Sequence, residues 1–332
     1  MEIENMYKIE NLVFSYSDRR VVDIPFLCIK KNRITAFLGE NGSGKTTLLR
    51  LLGGLLIPSG GTICCYNGEV VKNGKIYKNV VLVHQDPYLF SGSVYRNVAY
   101  GLKIRKTPKH IIKNKVREKL HLVGLDSFEH RKCKEVSGGE KQRIALARAM
   151  VLEPDILLLD EPTGNIDAGS TTLIESLLMH EKEKGKTIIM SSHNYPFAYR
   201  ISDDIIFLKN GKLVPNEFNI FHGQALREKN GFRTFKCRGV HLKCPLQEGD
   251  FRTALVSKND VIISKQRIHT SARNQLKGSV MNIMKTDSLY EIVLDCGIPI
   301  HSHITEKSFK ELKIALHKEY FITFKASAIK LY

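Results

Sequence analysis

The chain has 332 residues, of which 42% are hydrophobic, and a formal net charge of +17. This length predicts two domains, or three small ones, in a globular protein. No apolar run approaches the roughly 18 residues of a membrane span, and the first four residues lack secretory features, so we expect a soluble, cytoplasmic chain. The positive charge suits nucleic acid or an anionic membrane face alike and decides between neither.

A glycine-rich loop lies between two of the first predicted elements. Residues 7–16, which end in Tyr16, and residues 21–29 are β-prone and are predicted to pair as antiparallel strands. Residues 34–38 then predict a buried strand, and residues 47–52 predict the start of a helix. The stretch between them is Gly39, Glu40, Asn41, Gly42, Ser43, Gly44, Lys45 and Thr46.

This order of strand, glycine-rich loop and helix is the context of a phosphate-binding loop. The glycines let successive backbone N–H groups point into one concavity, and the helix N-terminus adds partial positive charge. Lys45 is placed to reach the β- and γ-phosphates, and the Thr46 hydroxyl to bind magnesium. The sequence therefore predicts a nucleotide site.

Two further helices are predicted in the middle of the chain, after a strand at residues 80–83. Residues 107–123 have helical apolar spacing and a lysine-rich opposite face, which we interpret as a solvated surface. Farther on, a second anion-binding nest precedes an Ala- and Leu-rich helix over residues 144–152. It consists of Ser137, Gly138 and Gly139, and Ser137 is a natural N-cap.

Acidic residues follow the next buried strand, residues 156–159. Asp160 at the carboxyl end of this strand would lie beside the magnesium of the phosphate loop. Glu161 would orient a water for in-line attack on the γ-phosphate. The strand at residues 187–191 brings His193 to the same sheet edge, where it could contact the γ-phosphate. A hairpin over residues 205–214 is predicted from its Asn-Gly turn.

Together these motifs resemble those of the ATP-binding-cassette (ABC) ATPases over residues 1–215. The elements occur in the family's order: GENGSGKT, Gln85, the signature loop SGGEK, LLLDE, Asp167 and His193. The resemblance implies an α/β P-loop NTPase domain that hydrolyses ATP with Mg²⁺. It assigns hydrolysis to Lys45, Gln85, Glu161 and His193, and Mg²⁺ to Thr46, Gln85 and Asp160.

The resemblance also implies further nucleotide contacts, from Tyr16 on adenine, from residues 39–47 including Thr47, and from Asp167. In the family two cassettes pair head to tail, so Ser137, Gly138 and Gly139 would act on the ATP of a second copy. Two features depart from the usual pattern. Glu140 replaces a glutamine, and the loop GNID leaves open whether Gly164 and Asn165 contact the nucleotide.

Residues 87–98 form an apolar and aromatic stretch. It resembles the surface where importer cassettes receive the coupling helices of their membrane permease subunits. An ordinary buried packing patch is an equally good interpretation.

The remaining residues predict a small β domain. We expect a connecting β segment over residues 216–264 and a five-stranded OB-type barrel over residues 265–332. Whether the connecting segment belongs to the barrel stays open. Thr305 is predicted to cap a helix that has Phe309, Leu312 and Leu316 on one face.

Two segments of this barrel resemble the molybdate- and tungstate-binding domain, residues 270–278 with the motif SARN and the motif KAS near the C-terminus. The resemblance implies that hydroxyl, guanidinium and ammonium groups bind a tetrahedral oxyanion. These groups belong to Ser271, Arg273, Lys325 and Ser327. The alternatives are a barrel that binds nucleic acid, or basic side chains without a specific role.

The whole pattern favours the ATPase subunit of a molybdate or tungstate importer. The resemblance implies a homodimer at the cytoplasmic face of the membrane, attached to a permease and served indirectly by an external substrate-binding protein. We expect no nucleic-acid partner. The alternatives are a sulfate or sugar importer, a soluble ABC ATPase acting on nucleic acid, or an oxyanion sensor. The sequence does not separate molybdate from tungstate, and regulation by the C-terminal domain is a hypothesis.

Overall fold

The computed structural model describes residues 4–66, 79–164, 166–226, 232–286 and 289–332. The chain divides into two compact units, residues 1–214 and residues 215–332. In the described part of the chain, no helix is both long enough and apolar enough to cross a membrane.

The first unit contains a six-stranded sheet and a smaller antiparallel sheet. Its strands are β1 (Asn5–Tyr16), β2 (Arg19–Lys30), β3 (Ile34–Leu38), β4 (Gly60–Cys65), β5 (Val80–Val83), β6 (Ile156–Asp160), β7 (Thr187–Ser192), β8 (Asp204–Lys209) and β9 (Lys212–Val214). Strands β1 and β2 pair antiparallel, as predicted, and β4 joins them on the other side of β1.

The six-stranded sheet has the order β5-β6-β7-β3-β8-β9. All neighbours are parallel except β8 and β9, which form the predicted hairpin. Strands β3, β6 and β7 are buried along their whole length, as expected for parallel strands covered on both faces. The carboxyl ends of these three strands meet at one sheet edge, which is where the predicted phosphate loop, acidic pair and histidine follow.

The helices of the first unit are α1 (Lys45–Leu52), α2 (Val94–Ile104), α3 (Lys109–Leu122), α4 (Gly138–Met150), α5 (Ala168–Glu183) and α6 (Tyr195–Ile201). Helix α3 confirms the prediction from apolar spacing. Its residues Ile112, Val116 and Leu120 are buried, whereas Asn114, Arg117 and Glu118 are exposed.

The second unit is formed mainly of short antiparallel strands. They are β10 (Phe218–His222), β11 (Gln224–Leu226), β12 (Arg233–Cys237), β13 (Val240–Cys244), β14 (Thr253–Ser257), β15 (Ile262–Ser264), β16 (Asn274–Lys285), β17 (Leu289–Asp295), β18 (Pro299–Thr305), β19 (Glu319–Phe324) and β20 (Lys330–Leu331). The predicted turn at residues 286–288 falls partly outside the described residues.

Five of these strands form one antiparallel sheet in the order β15-β19-β16-β17-β18. The Ser302 hydroxyl on β18 donates to the carbonyl of Val261, the residue before β15. The two edge strands therefore approach each other, which confirms the expected five-stranded OB-like architecture.

Helix α7 (Glu306–Leu312) begins at the predicted cap, since the Thr305 hydroxyl accepts from the Ser308 N–H. Phe309 stacks on Tyr290 with ring centroids 4.2 Å apart. The prediction for Leu316 is wrong. The helix ends at Leu312 and is capped by Lys313, whose φ of 51° is left-handed, and Leu316 is 51% exposed.

Residues 216–264 share one hydrophobic core with the five-stranded sheet. Phe221 and Phe235 pack in the same buried cluster as Leu294 and Phe324. Strand β14 pairs with both β10 and β20, so one small sheet joins segments from both sides of residue 264. The predicted division at that residue does not coincide with a boundary between compact units.

A buried ion pair ties this segment to the five-stranded sheet. Lys258 Nζ lies 2.6 Å from Glu291 Oε1, and the two side chains are only 7% and 8% exposed. His301 Nδ1 lies 2.6 Å from the same carboxylate oxygen. Burial raises the pKa of Glu291, but hydrogen bonds from Lys258 and His301 more than offset that effect and leave the pKa below its usual value.

Candidate functional site

The glycine-rich loop joins β3 to α1 and has the backbone geometry that its glycines allow. Gly39, Gly42 and Gly44 have φ values of 152°, 80° and 103°. A Cβ on Gly39 would lie 2.2 Å from the carbonyl oxygen of Leu208. Only glycine fits at this position, because a side chain would collide with the backbone of β8.

Lys45 is folded back over the loop. Its Nζ donates to the carbonyl oxygens of Gly39 at 2.8 Å and Glu40 at 3.0 Å. Burial lowers the pKa of Lys45, and the charges of Glu161 and Asp160 act in the opposite direction. The ammonium group thus lies inside the loop, where phosphate oxygens would offer stronger, charged acceptors.

Asp160 lies at the end of β6 and accepts two hydrogen bonds on one oxygen. Its Oδ1 accepts from Thr46 Oγ1 at 2.9 Å and from Ser191 Oγ at 2.7 Å. A cavity of about 300 Å³ opens beside this pair, and Gln85 and Glu161 line it together with the loop. Carboxylate, hydroxyl and amide oxygens are the ligands that Mg²⁺ prefers, so the residues present fit this ion.

Glu161 and His193 form a close pair at the same sheet edge. Glu161 Oε2 lies 2.7 Å from His193 Nδ1 and also accepts from the His193 backbone N–H at 3.1 Å. The Glu161 N–H donates to Ser191 Oγ at 3.0 Å, and its φ of 49° is left-handed. A buried glutamate held in an unfavourable backbone conformation by three hydrogen bonds is typical of a functional position.

The signature loop begins α4 with a complete capping box. Ser137 Oγ accepts from the Glu140 N–H at 3.3 Å, and Glu140 Oε2 accepts from the Ser137 N–H at 2.7 Å. The Ser137 N–H lowers the pKa of Glu140, and so does Arg131. Glu140, which departs from the family pattern, therefore completes a reciprocal cap that our interpretation of the sequence missed.

Several predicted contacts lie away from the phosphate cavity of their own chain. Ser137, Gly138 and Gly139 are not among its lining residues, and Ser137 and Gly138 are exposed. Asp167 caps α5, where hydrogen bonds from the Ser170 N–H and hydroxyl, both 2.8 Å, lower its pKa. Gly164 lies between Glu161 and Gln85, since a Cβ on it would be 3.7 Å from Glu161 Cβ. Asn165 falls outside the described residues.

Tyr16 lies at the end of β1 and is 44% exposed. Its ring packs edge-on against Phe14, with centroids 4.9 Å apart. Neither Tyr16 nor Phe14 lines the phosphate cavity, which is bounded on this side by Val21. The exposed ring leaves a face for an adenine, and that role stays a prediction.

Residues 87–98 contribute to an open apolar groove of about 510 Å³. Tyr88 is 74% exposed and Ile104, at the end of α2, is 64% exposed. The Arg148 guanidinium donates to the Tyr88 carbonyl at 2.8 Å and fixes this edge of the groove. Within residues 87–98, Val94 and Val98 are fully buried and so are packing residues, whereas exposed apolar side chains such as Tyr88 in a concave surface are typical of a binding site.

The second unit brings its two predicted anion-binding segments together. Asn274 on β16 is paired with Phe324 on β19, so Arg273 and Lys325 lie at neighbouring strand ends. Ser271, Arg273, Lys325 and Ser327 are all exposed, whereas Ala272 and Ala326 between them are buried.

Asn274, the last residue of the SARN motif, has a structural role that the sequence analysis did not predict. Its side chain is buried and forms hydrogen bonds to both the N–H and the carbonyl of Lys243, at 2.7 and 2.8 Å. The guanidinium of Arg273 lies 5.9 Å from the ring of Phe232. The pairing of β16 with β19 and the side-chain amide of Asn274 therefore hold the SARN segment at a fixed position beside the KAS turn.

Comparisons with known proteins agree with this division of the chain. A family model for the ABC transporter matches residues 24–164, and one for the TOBE domain matches residues 270–331. The molybdate/tungstate import ATP-binding protein WtpC of Pyrococcus abyssi is 32% identical over 346 residues, covering 98% of this chain and 100% of that protein.

Two other matches cover a smaller share of the chain. The spermidine/putrescine import ATP-binding protein PotA of Acetivibrio thermocellus is 40% identical over 214 residues, covering 64% of this chain and 60% of that protein. The structure of cbiO1 from Clostridium perfringens, part of the ABC transporter complex cbiONQ, is 34% identical with a TM-score of 0.59. It covers 64% of this chain and 88% of that structure.

This chain is similar to an import ATP-binding protein over nearly the whole length of both chains. In addition, the geometry of its nucleotide site fits ATP. The chain therefore belongs to the family of ABC import ATP-binding proteins, with an ATPase unit followed by a TOBE domain.

Proposed function

We propose that this chain is the ATP-hydrolysing subunit of a molybdate or tungstate importer. It would work as a homodimer attached to a membrane permease at the cytoplasmic face of the membrane. The permease in turn would receive the anion from an external substrate-binding protein. The observation that carries the cargo assignment is the pairing of Asn274 with Phe324, which places Arg273 beside Lys325 within the TOBE domain.

The chemistry of these groups suits a tetrahedral dianion. Molybdate and tungstate carry two negative charges and four oxygens, so several converging donors are needed to bind them. Arg273 supplies up to five N–H donors and Lys325 three, and Ser271 and Ser327 add hydroxyls. Similarity to a molybdate/tungstate import protein, extending through the second unit, supports the same cargo class.

At the nucleotide site, this chain's residues would hold ATP and activate a water. Lys45 would leave the Gly39 and Glu40 carbonyls and bind phosphate oxygens instead. Thr46, Gln85 and Asp160 would hold Mg²⁺, which neutralises phosphate charge when bound. Glu161 would accept a proton from the attacking water, and His193, 2.7 Å from it, would keep that carboxylate oriented.

The dimer is supported by the position of the signature loop. Ser137, Gly138 and the start of α4 are exposed and lie outside the phosphate cavity of their own chain. The start of α4 is a helix N-terminus, whose partial positive charge favours a phosphate ligand. Head-to-tail pairing would place this loop on the ATP of the second copy and exclude water when both close.

Attachment to the permease is supported by the apolar groove beside Gln85. Tyr88 and Ile104 expose apolar surface there, and His84 and Pro87, on either side of Gln85 in sequence, also line the groove. A short permease helix seated in the groove would be linked through this segment to the nucleotide cavity, which Gln85 lines.

Calorimetric titration of the full chain with tungstate, molybdate and sulfate tests the cargo assignment. We expect tight binding of the first two anions and a loss of about 10- to 100-fold in Arg273→Ala, because a charge-assisted hydrogen bond is worth about 1.5–3 kcal/mol. Arg252→Ala, at another exposed arginine of the same unit, is the control. Heat with none of the three anions would overturn the cargo assignment and favour another cargo, such as a sugar.

A further inference from the structure

A stretch near the apolar groove carries nearly half of the net charge of the chain. Residues 87–117 contain eight lysine and arginine residues and no aspartate or glutamate, against a net charge of +17 for the whole sequence. Five of these residues form what we call the basic stripe, along α2, α3 and the loop between them. They are Lys103, Lys106, Lys109, Lys113 and Arg117, all exposed.

The stripe is not neutralised within the described part of the chain. None of its five residues forms an ion pair there, and the nearby acidic side chains are engaged elsewhere. Glu153 lies 2.8 Å from Lys115, and Glu118 lies 2.8 Å from Lys119. The five side chains therefore carry exposed positive charges that an anionic partner can neutralise.

Helix α3 carries this charge at the expense of its own stability. Lys109, Lys113 and Arg117 are spaced four residues apart, so they line one face over about 12 Å and repel each other. Lys109 also lies at the first helical position, where the helix dipole is positive, and the first turn has no acidic residue. An anionic surface would relieve this repulsion across all three positions.

The side chains next to the stripe favour a lipid surface over nucleic acid. Tyr100 and Ile104 on α2, which are 46% and 64% exposed beside Lys103, line the apolar groove, so the stripe adjoins the surface that we assign to the membrane permease. No Phe, Tyr or Trp lies between Lys103 and Arg117 in sequence, and the exposed Tyr100 just before the stripe lines the apolar groove.

We propose that the basic stripe binds the anionic lipid headgroups of the membrane that holds the permease. The placement rests on the proposed function in one respect, since Ile104 and Arg105 line the groove assigned to the permease. The stripe would then lie next to the membrane surface whenever the groove is occupied. Its charge would favour attachment to the leaflet and orient the cassette for assembly.

Sedimentation of the full chain with vesicles, in the absence of permease, tests the proposal. We expect binding to phosphatidylcholine vesicles containing 30% phosphatidylserine, little binding to phosphatidylcholine alone, and release in high salt. The triple variant Lys109→Gln, Lys113→Gln and Arg117→Gln should bind about 100-fold more weakly, since each basic residue near an anionic leaflet contributes about fivefold. Glutamine favours helix, so α3 should stay folded.

A matched control removes two lysines and one arginine from the second unit, with Lys236→Gln, Arg252→Gln and Lys330→Gln, all at exposed positions. This control should bind vesicles like the wild type. A second variant, Lys103→Gln with Lys106→Gln, leaves α3 unchanged and should weaken binding by more than tenfold. ATP hydrolysis without permease should be unaffected in all three variants.

Three results would overturn the proposal: no preference for phosphatidylserine, an equal loss of binding in the control, or tighter binding of a single-stranded RNA that the stripe variants abolish. The last result would assign the stripe to nucleic acid. The proposed function fails separately, through loss of tungstate binding or of ATP hydrolysis, so the two failures are distinguishable.

Discussion

Replacement of Glu161 by glutamine should separate ATP binding from ATP hydrolysis. Glutamine has nearly the same shape, and its amide oxygen can still accept from the His193 N–H, as Glu161 Oε2 does at 3.1 Å. What is lost is the group that would take a proton from water. General-base catalysis contributes about 10²- to 10⁴-fold, so we expect the rate to fall by that factor, or about 2.7–5.5 kcal/mol in activation free energy.

ATP affinity in this variant should be equal to or higher than that of the wild type. Glu161 lines the phosphate cavity, so the substitution removes a negative charge that faces the phosphates. Lys45 contacts backbone carbonyls rather than Glu161, and its position should not depend on the carboxylate. Bound ATP should therefore raise the melting temperature at least as much as in the wild type.

Phosphate release by the full chain, together with melting curves at several ATP concentrations, gives both quantities. The matched control is Glu175→Gln on α5, where a partly exposed carboxylate pairs with Arg200 at 3.0 Å outside the cavity. It should hydrolyse ATP at nearly the wild-type rate, because exposed ion pairs contribute little. Glu161→Gln with more than about a tenth of wild-type activity would refute the assignment of Glu161 as the base.

Two further substitutions test the backbone of the loop and the buried ion pair. Gly39→Ala should abolish ATP binding because its Cβ would lie 2.2 Å from the Leu208 carbonyl oxygen. Gly185→Ala is the control, because Gly185 has a φ of 79° but open space around it, and this change should cost only about 1–2 kcal/mol in unfolding free energy. Equal melting temperatures and equal ATP affinities for the two variants would contradict this reasoning. Lys258→Met should lower the unfolding free energy of the second unit by about 3–5 kcal/mol in calorimetric melting, because it leaves Glu291 buried without its partner. Adding Glu291→Leu should restore much of that stability. A double variant less stable than Lys258→Met would show that the unpaired carboxylate does not cause the destabilisation. Because the pKa of Glu291 is lowered by folding, its contribution in the wild type should be complete above the ordinary carboxyl pKa and should decline as the pH falls through the lowered value.

The order and type of elements in the first unit follow from local patterns. The strands predicted at residues 34–38, 80–83 and 156–159 are short apolar runs, and the residues after them include the groups that a parallel sheet gathers at one edge. Helix α3 was equally predictable, because apolar residues at helical spacing in the sequence, such as Ile112, Val116 and Leu120, are the ones that are buried. Such patterns do not reveal pairs of side chains that depend on each other. Glu140 is an example, because its side chain accepts from the Ser137 N–H while its own N–H donates to the Ser137 hydroxyl.

The second unit was less predictable because its contacts are non-local. Strand β14 pairs with β20 about 75 residues later, and no spacing rule indicates that pairing. The cluster of Lys258, Glu291 and His301 likewise joins a side chain 33 residues away in sequence to the β17–β18 hairpin. The end of α7 was not predicted because the residue that ends it in a left-handed conformation is Lys313, whereas glycine or asparagine usually occupies such a position.

The position of β3 between β7 and β8 sets when the nucleotide site can form during synthesis. The glycine-rich loop is translated well before β8 and β9, yet Gly39 packs on Leu208, and the Gly211 N–H donates to the Ser43 carbonyl at 3.0 Å. A nascent chain therefore carries an unsupported phosphate loop until about 165 further residues have left the ribosome. ATP capture by a stalled chain should begin only once β8 and β9 have emerged, before the second unit is complete.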